Sequence, residues 1–280
     1  MNNIKITTLV ENTVTMGIMP LTAEHGLSFL IESGDRKILF DTGQGLTIIG
    51  NTKALGIDLS KIDTVVLSHA HFDHTGGVKN IIESNNHFTL VAHPEVFFGK
   101  FAGLGGDFTP IGIGTKGEME IITKSGIKLE IGEEPFEIAP GIMTTGIIPM
   151  ETDFEEVEAM FFKGEEGSEL TDLIEDDKAL ILDTEKGTVV ILGCAHRGII
   201  NTLNHVVKLT GKNKIYAIMG GLHLIYADKE KLNKISNCIR DFGIEKMIVG
   251  HCTGFSATNA LVNEFGDRVT PNTVGHVIEF

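Results

Sequence analysis

The 280-residue sequence predicts an α/β fold whose strands converge on one site. Apolar β runs alternate with segments that have the apolar spacing of helices. Its 33 glycines predict many tight turns, which suit short strands joined by loops. Ligands bind at the carboxyl ends of strands in open α/β sheets, because neighbouring loops meet there. Four β runs end in small residues followed by a histidine: Leu67-Ser68-His69, Leu192-Gly193-Cys194-Ala195-His196, Met219-Gly220-Gly221-Leu222-His223 and Val249-Gly250-His251.

The first half of the chain is predicted to contain a hairpin and then alternating strands and helices. Residues 26–32 and 37–43 have the pattern of a hairpin turned by Ser33-Gly34-Asp35. Residues 94–101 predict a helix with proline at its first position. Residues 103–117 lose the pattern, which predicts either an irregular insertion or lid that shapes a substrate pocket, or a flexible connection. The other strands are predicted over residues 5–12, 64–67, 87–92, 127–130, 136–139 and 142–145, and the other helices over residues 46–55 and 77–84.

The second half returns to the same alternation after an acidic stretch at residues 151–177. We predict that most carboxylates of this stretch form a solvated edge or loop, so the negative charge there says little about the site. Strands are predicted over residues 179–182, 189–192, 215–219, 247–249 and 274–278, and helices over residues 199–211, 229–242 and 257–265.

The charge balance argues against several kinds of partner. The chain has 23 Lys and Arg against 38 Asp and Glu, a formal net charge of −15. Nucleic acid and anionic membrane surfaces require a basic patch, and no cluster of Lys and Arg supplies one. No apolar run approaches the length of about 20 residues that a membrane span needs, and the N-terminus does not resemble a signal peptide. We therefore expect a cytoplasmic protein with a small-molecule substrate, while the oligomeric state stays open.

Residues 68–77 predict a metal site. His69, His71, Asp73 and His74 place three imidazoles and a carboxylate directly after an apolar β run. These ligand types hold zinc, manganese or iron, so we expect one or two divalent ions, with zinc favoured. At a strand end, side chains two residues apart point the same way, and the following turn sends the later pair towards a neighbouring position. The alternative is a set of surface histidines in which Asp73 caps a helix.

Other residues are candidates to lie near this site. Asp41 ends a β run, where its carboxylate either orients a ligand from behind or forms a simple turn. His25 stands at the start of a strand and is a candidate to face the pocket. His205 has helical spacing, so we expect it to pack or to lie on the surface.

With these residues the chain resembles the metallo-β-lactamase superfamily. The resemblance rests on His69-x-His71-x-Asp73-His74 followed by Gly76-Gly77, on Asp41-Thr42-Gly43 and on Gly250-His251. It covers nearly the whole chain and implies an αββα sandwich, with two mixed β-sheets flanked by helices in a single domain over residues 1–280. Glu24-His25-Gly26-Leu27-Ser28 and Gly220-Gly221-Leu222-His223 resemble one branch, whose members are commonly named dihydropterin-linked aminobenzene ribofuranosyl phosphate synthases, from methanopterin biosynthesis.

The resemblance implies two metal positions that share one short segment. His69 and His71 would hold the first metal, and Asp73, His74 and His251 the second. Asp73 is also the implied catalytic residue, because it would orient the nucleophile as well as bind metal.

One part of the family's ligand pattern is missing here. The superfamily has a further histidine in a Pro-Gly-His turn, and the corresponding residues 144–149 contain none. His196 and His223 are candidates to replace it, and Cys194 occupies the slot of the usual bridging aspartate. The alternatives are a small buried apolar role for Cys194 and a substrate-binding role for His223. Cys252 is expected to point away from the site and pack.

These ligands predict a metal-dependent hydrolase. A bound divalent ion lowers the pKa of water to about 7, so that metal-activated hydroxide can attack a small soluble ester or phosphoester. Histidines that are not ligands would protonate the leaving group. His25 and Arg197 are the candidates for substrate contacts.

Three alternative functions remain open from the sequence. A synthase that joins a pterin precursor to an aryl ribosyl phosphate needs a phosphate-binding surface, for which Lys100, Lys116 and Arg197 are candidates. Iron at the same ligands would give a redox protein. A binding or sensing module without turnover is the third, because the middle histidine is missing.

Overall fold

The computed structural model describes residues 3–15, 17–104, 107–114, 116–165 and 170–280. The strands of the first half are β1 (Ile4–Val10), β2 (Ser28–Ser33), β3 (Arg36–Phe40), β4 (Thr64–Val66), β5 (Thr89–Ala92), β6 (Lys100–Leu104), β7 (Asp107–Pro110), β8 (Lys128–Ile131) and β9 (Glu137–Ala139). The later strands are β10 (Ile142–Thr144), β11 (Phe161–Lys163), β12 (Leu170–Thr171), β13 (Leu180–Thr184), β14 (Gly187–Leu192), β15 (Ile215–Gly220), β16 (Lys246–Val249), β17 (Val269–Pro271) and β18 (Val277–Glu279). The helices are α1 (Ile48–Ala54), α2 (Phe72–Thr75), α3 (Val78–Ser84), α4 (Lys116–Lys124), α5 (Ile199–Thr210), α6 (Lys229–Asp241) and α7 (Phe255–Phe265).

Two seven-stranded mixed sheets repeat one pattern of pairing. The first has the order β18-β1-β2-β3-β4-β5-β8, and the second has the order β9-β10-β13-β14-β15-β16-β17. In these orders, each sheet has three antiparallel pairs followed by three parallel pairs. The parallel strands of a sheet end at the same edge, where loops can build a site. The predicted fold class, α/β with two mixed sheets flanked by helices, is confirmed.

Buried apolar side chains connect the layers of the sandwich. One cluster contains Phe40 of the first sheet and Ile191 of the second, so the two sheets pack face to face. Leu39 points the opposite way from Phe40, because side chains alternate along a strand, and it joins a cluster with α1, α3 and α4. Val190 likewise joins a cluster with α5, α6 and α7 on the outer face of the second sheet. None of the described helices is long and apolar enough to cross a membrane.

A third sheet occupies much of the segment that was expected to be irregular. Its order is β12-β11-β6-β7, which pairs β6 with β11 and so joins strands of residues 100–110 to strands from the acidic stretch. The helix predicted over residues 94–101 is wrong, since only Pro94–Phe97 forms a 3-10 turn and β6 follows it. These strands are short and their partners lie far away in the sequence, so no local period reveals them. Residues 105, 106 and 115 lie outside the described part of the chain.

The acidic stretch is also less solvated than expected. Its residues Glu155, Asp172, Asp176 and Asp177 are buried. The buried ammonium of Lys100 lies 2.8 Å from Asp172 Oδ2 and 3.0 Å from Asp176 Oδ1. Because Lys100 begins β6, these ion pairs fasten the third sheet to the turn that precedes β13. The expectation of a solvated loop is wrong at these positions, because a run of charges does not reveal which of them meet a buried cation.

The Lys100→Met substitution is expected to lower the free energy of unfolding by about 3–5 kcal/mol, because two buried carboxylates would lose their cation. Chemical denaturation followed by circular dichroism measures the change. Lys163→Met is the matched control, since Lys163 lies on β11 of the same sheet and pairs with Glu95 in a more exposed position. That control should cost about 1 kcal/mol or less. Equal losses in the two variants would contradict the assigned role of Lys100.

Candidate metal centre

The carboxyl ends of parallel strands form the candidate metal centre, and the backbone there is unusual. Asp41 follows β3, Ala195 follows β14, His223 follows β15 and His251 follows β16. Their φ angles are 60°, 57°, 47° and 50°, in the left-handed region that residues with a Cβ rarely adopt. Such strain costs on the order of 1–3 kcal/mol per residue and gathers at functional sites. The loops that follow these strands therefore bend so that their side chains lie together at the carboxyl-terminal edge of the sheets.

A first group of candidate ligands joins the two halves of the chain. The donor atoms of His69, Cys194 and His196 lie within 4.8 Å of one another, and all three residues are buried. His71 is adjacent, with Nδ1 3.1 Å from Nε2 of His69. Nε2 of His71 and both ring nitrogens of His196 are buried without a hydrogen-bond partner. Buried polar atoms without partners are costly, so this group fits a cation that these nitrogens would coordinate.

A second group shares Cys194 with the first. His74 Nε2 lies 3.1 Å from Cys194 Sγ and 3.1 Å from His251 Nε2. Asp73 Oδ2 lies 3.2 Å from His251 Nε2 and 3.6 Å from His74 Nε2. The Cys194 sulfur therefore stands between the two groups, in the position that the sequence suggested for a bridging thiolate.

The electrostatics of these side chains suit metal binding. Burial lowers the pKa of His69 and of His196 well below the usual value, and neighbouring histidines lower it further. Burial lowers the pKa of His71 to about 4. These imidazoles are therefore neutral at pH 7, which is the form in which histidine binds metal. Burial raises the pKa of the Cys194 thiol, and a coordinated cation would reverse that shift because coordinating thiols are deprotonated.

Asp41 orients two of the histidines. Its Oδ2 accepts hydrogen bonds from His74 Nδ1 at 2.6 Å and from Ser68 Oγ at 2.7 Å. Ser68 Oγ also lies 2.9 Å from Nδ1 of His69. The rings of His69 and His74 are thus both held through Nδ1, which leaves Nε2 of each ring to bind a metal ion. These hydrogen bonds agree with the first of the two roles expected for Asp41, which is to orient a metal ligand from behind.

The end of β1 orients His251. Asn12 Oδ1 lies 2.9 Å from Nδ1 of His251, and Glu11 Oε1 accepts a hydrogen bond from its backbone N–H at 2.8 Å. The other Glu11 oxygen accepts from Asn272 Nδ2 at 3.1 Å. Sequence reasoning missed Glu11 and Asn12, because at a strand end they show no motif of their own.

The buried turn at residues 172–178 supports the loops that carry the candidate ligands. Asp176 Oδ2 accepts a hydrogen bond from Ala70 N at 2.7 Å. Asp177 Oδ2 accepts from Arg197 N at 3.0 Å, next to His196. Burial raises the pKa of the Asp177 carboxyl to about 7. The acidic stretch therefore contributes to the site after all, through its buried members.

A cavity of about 280 Å³ opens onto both groups of candidate ligands. Phe161 of β11 lies with its ring centroid 5.0 Å from that of His71 and 5.2 Å from that of His196. Phe72 N donates to Ile111 O at 2.7 Å, which ties the residue after β7 to the segment from His69 to His74. No lysine or arginine is among the described residues that line the cavity. Its apolar and aromatic lining consists of Phe72, Ala102, Ile111, Met160, Phe161, Ile225 and Tyr226.

Three other residues lie at the cavity. His25 lines it as expected. His223 lines it too, with Nδ1 3.0 Å from Glu158 Oε1. Cys252 is also a lining residue, so the expectation that it points away from the site is wrong. Sequence reasoning missed Glu158 and Phe161, which sit in the acidic stretch without a distinguishing pattern.

Two of the three basic residues considered for a phosphate, Lys100 and Arg197, make internal contacts away from the cavity. The guanidinium of Arg197 donates to the carbonyls of Ile148 and Leu173 at 2.5 and 2.8 Å, and Arg197 does not line the cavity. The Lys100 ammonium is used by buried carboxylates. The side chain of Lys116 lies outside the described part of the chain. Neither Lys100 nor Arg197 therefore supplies a cation to the described part of the cavity wall.

Comparisons with known proteins identify similar chains. The family model of the metallo-beta-lactamase superfamily matches residues 21–251. A protein of Methanocaldococcus jannaschii named 7,8-dihydropterin-6-methyl-4-(beta-D-ribofuranosyl)-aminobenzene-5'-phosphate synthase is 38% identical over 288 residues, which cover 100% of this chain and 97% of that protein. An uncharacterized protein of the same organism is 36% identical, covering 90% of this chain and 92% of its own.

A solved structure extends the similarity to the whole fold. Tm1679, described as a metal-dependent hydrolase of the beta-lactamase superfamily, has a TM-score of 0.83 and 28% sequence identity. The match covers 99% of both chains.

The Asp41→Asn substitution is expected to weaken metal binding by about 10–100-fold, because it disturbs the hydrogen bonds that hold His74 and Ser68. Competition of zinc between the protein and a chromophoric chelator measures this affinity. Asp58→Asn is the control, since Asp58 is a carboxylate that caps a 3-10 turn on the surface. Equal affinity in the Asp41 variant and the wild type would contradict the orienting role.

The Asp177→Asn substitution is expected to change how the stability of the metal-free protein depends on pH. The pKa of about 7 in the folded state lies above the ordinary aspartate pKa of about 3.9, so wild-type stability falls as the pH rises through this range. Asparagine keeps an oxygen for the Arg197 N–H but does not titrate. Between about pH 4 and pH 8, the variant should gain on the order of 3 kcal/mol relative to wild type. Urea denaturation at both pH values measures this, and a difference independent of pH would refute the assignment.

Proposed function

The chain belongs to the metallo-beta-lactamase superfamily, and on this premise we propose that it is a metal-dependent enzyme that acts as a dihydropterin-linked synthase. The observation that carries this proposal is the similarity over the whole length to the synthase of Methanocaldococcus jannaschii. The name of that relative describes a dihydropterin joined through a 6-methyl group to an aminobenzene that bears a ribofuranosyl phosphate. The reaction proposed for this chain is the formation of that link.

The candidate ligands support the metal part of the proposal. In our assignment, His69, His71 and His196 would hold one ion, His74, Asp73 and His251 would hold the other, and Cys194 would contribute to both. Nitrogen and sulfur ligands of this kind favour zinc. A divalent ion in such a site supplies Lewis acidity, which polarises a substrate oxygen or lowers the pKa of a water molecule.

The cavity wall supports the choice of substrate. A dihydropterin is a flat ring system with polar edges, and aromatic faces such as that of Phe161 pack well against flat rings. Since the described lining contains no lysine or arginine, we place the ring, rather than the phosphate, next to the candidate ligands. The phosphate end of the second substrate then lies at the open side of the cavity.

His223 is proposed to move a proton in this reaction. Joining the aminobenzene nitrogen to the 6-methyl carbon forms a C–N bond, breaks the bond from that carbon to its leaving group, which departs with the electron pair, and releases a proton from the nitrogen. Glu158 holds Nδ1 of His223, which leaves Nε2 available to a substrate in the cavity. An imidazole placed in this way accepts and returns protons near neutral pH.

A second candidate function is hydrolysis, and the similarity to Tm1679 favours it. The substrate would be a small soluble ester or phosphoester. Asp73 would then orient a water nucleophile, and His223 would give a proton to the leaving group.

One incubation separates the two functions. Zinc-loaded protein is supplied with a dihydropterin that carries a leaving group on its 6-methyl carbon, and with 4-(β-D-ribofuranosyl)aminobenzene 5'-phosphate, in ¹⁸O-labelled water. The synthase predicts a joined product that mass spectrometry detects only when both substrates are present. A product with ¹⁸O and no joined species would instead support the hydrolase.

The His71→Ala, Asp73→Ala double variant is the control for this experiment. Removing one donor from each metal position should lower both the metal content and the rate by at least about 100-fold. Full metal content and full activity in the double variant would show that the site lies elsewhere.

A further inference from the structure

His25 lies against the second metal position, outside the ligands that the family resemblance implies. Its Nε2 is 3.4 Å from Asp73 Oδ2, and His251 Nε2 is 3.2 Å from the same oxygen. The rings of His25 and His251 stack at a centroid distance of 5.3 Å and an angle of 24°. The donor atoms of the three residues lie within 4.8 Å of one another. Two imidazoles and a carboxylate thus converge on one point, as ligands of a divalent ion do.

The backbone around His25 packs closely against the segment from His69 to His74. Leu27 N donates a hydrogen bond to Asp73 O at 3.1 Å. A Cβ on Gly26 would lie 2.6 Å from that same oxygen, so a glycine is needed there. Gln44 Nε2 donates to the His25 carbonyl at 2.5 Å. The backbone of His25 is therefore held beside Asp73 by these contacts, which places the His25 side chain within reach of the Asp73 carboxylate.

One amide group serves both histidines. Asn12 Oδ1 accepts from Gly26 N at 3.1 Å and lies 2.9 Å from His251 Nδ1. The same oxygen therefore positions the loop that carries His25 and orients the ring of His251. With Nδ1 of His251 used in this way, its Nε2 is left to face Asp73 and His25.

His25 differs from its two neighbours in exposure. Its side chain is 57% exposed, whereas those of Asp73 and His251 are 10% and 1% exposed. A ligand at the surface can leave its metal without unpacking the core. As a ligand, His25 would therefore be the one whose replacement by an incoming group costs the least free energy.

From this geometry we propose that His25 is a further ligand of the second metal position and the one that an incoming substrate atom displaces. This inference rests on the proposed metal centre and is independent of which reaction the enzyme performs. The competing assignment is a hydrogen bond from His25 to Asp73 without metal contact.

Metal titrations of three variants distinguish these assignments. His25→Ala removes both a ligand and a hydrogen-bond donor, whereas His25→Gln keeps an N–H donor near Asp73 but removes the imidazole. His87→Ala is the control, because His87 is an exposed histidine before β5. Zinc competition with a chelator gives the affinity of each ion, and cobalt-substituted protein gives a visible absorption spectrum that depends on the ligands.

The proposal predicts that one ion binds at least tenfold more weakly in both His25 variants, while the other ion is unaffected. The cobalt spectrum should change in both variants and remain unchanged in the His87 control. Wild-type affinity and spectrum in His25→Gln would overturn the proposal and leave only the hydrogen bond. Binding that is unchanged in both variants, with one ion or two, would overturn it as well. Denaturation of the metal-free variants checks that the fold is retained, and none of these measurements needs a substrate.

Discussion

The burial of polar ligand atoms at the edge of two sheets is the constraint on which the rest of the structure depends. His71 and His196 place ring nitrogens in the interior without a hydrogen-bond partner, which costs free energy unless a cation is present. Strand ends bend into left-handed backbone at Asp41, His223 and His251 to bring these atoms together. Backbone strain and desolvation at this edge therefore cost free energy. Burial of apolar side chains between and outside the sheets offsets that cost.

The site also joins parts of the chain that are distant in the sequence. Cys194 and His196 come from the second sheet and meet His69 of the first. Glu11, near the N-terminus, holds the backbone of His251, near the C-terminus. Asp176 holds the backbone of the metal-binding segment at Ala70. Since each contact crosses between sheets or between distant loops, we expect metal binding and the packing of the two halves to be thermodynamically coupled.

In the proposed function, the third sheet contributes to selectivity for the substrate, whereas the candidate metal ligands supply reactivity. Lewis acidity assists bond formation and hydrolysis alike, so the ligands alone suit both proposed reactions. Phe161 sets an aromatic face beside His71 and His196, and the cavity is lined mainly by apolar groups. Lys100 and Arg197 make internal contacts, so no cation is available to a phosphate at the described wall of the cavity. A flat ring fits these properties better than a charged group does, so the proposed synthase would bind its pterin ring here and the phosphate of the second substrate away from this wall.

The sequence by itself determined the fold class, the helices α5, α6 and α7, every strand of the two main sheets except β17, and the segment from His69 to His74. Those features are local, because the period of apolar residues, the turn residues and the spacing of candidate ligands can all be read from short stretches of sequence. Only the tertiary structure decided that His196 stands beside Cys194 and His69, that Asp172 and Asp176 are buried around Lys100, and that β6, β7, β11 and β12 form a sheet. These features depend on pairing between residues far apart in the chain. The sequence of an acidic run does not show which carboxylates face water and which face a buried cation. A strand of only a few residues is too short to show a period of its own, so its pairing partner cannot be recognised from the sequence.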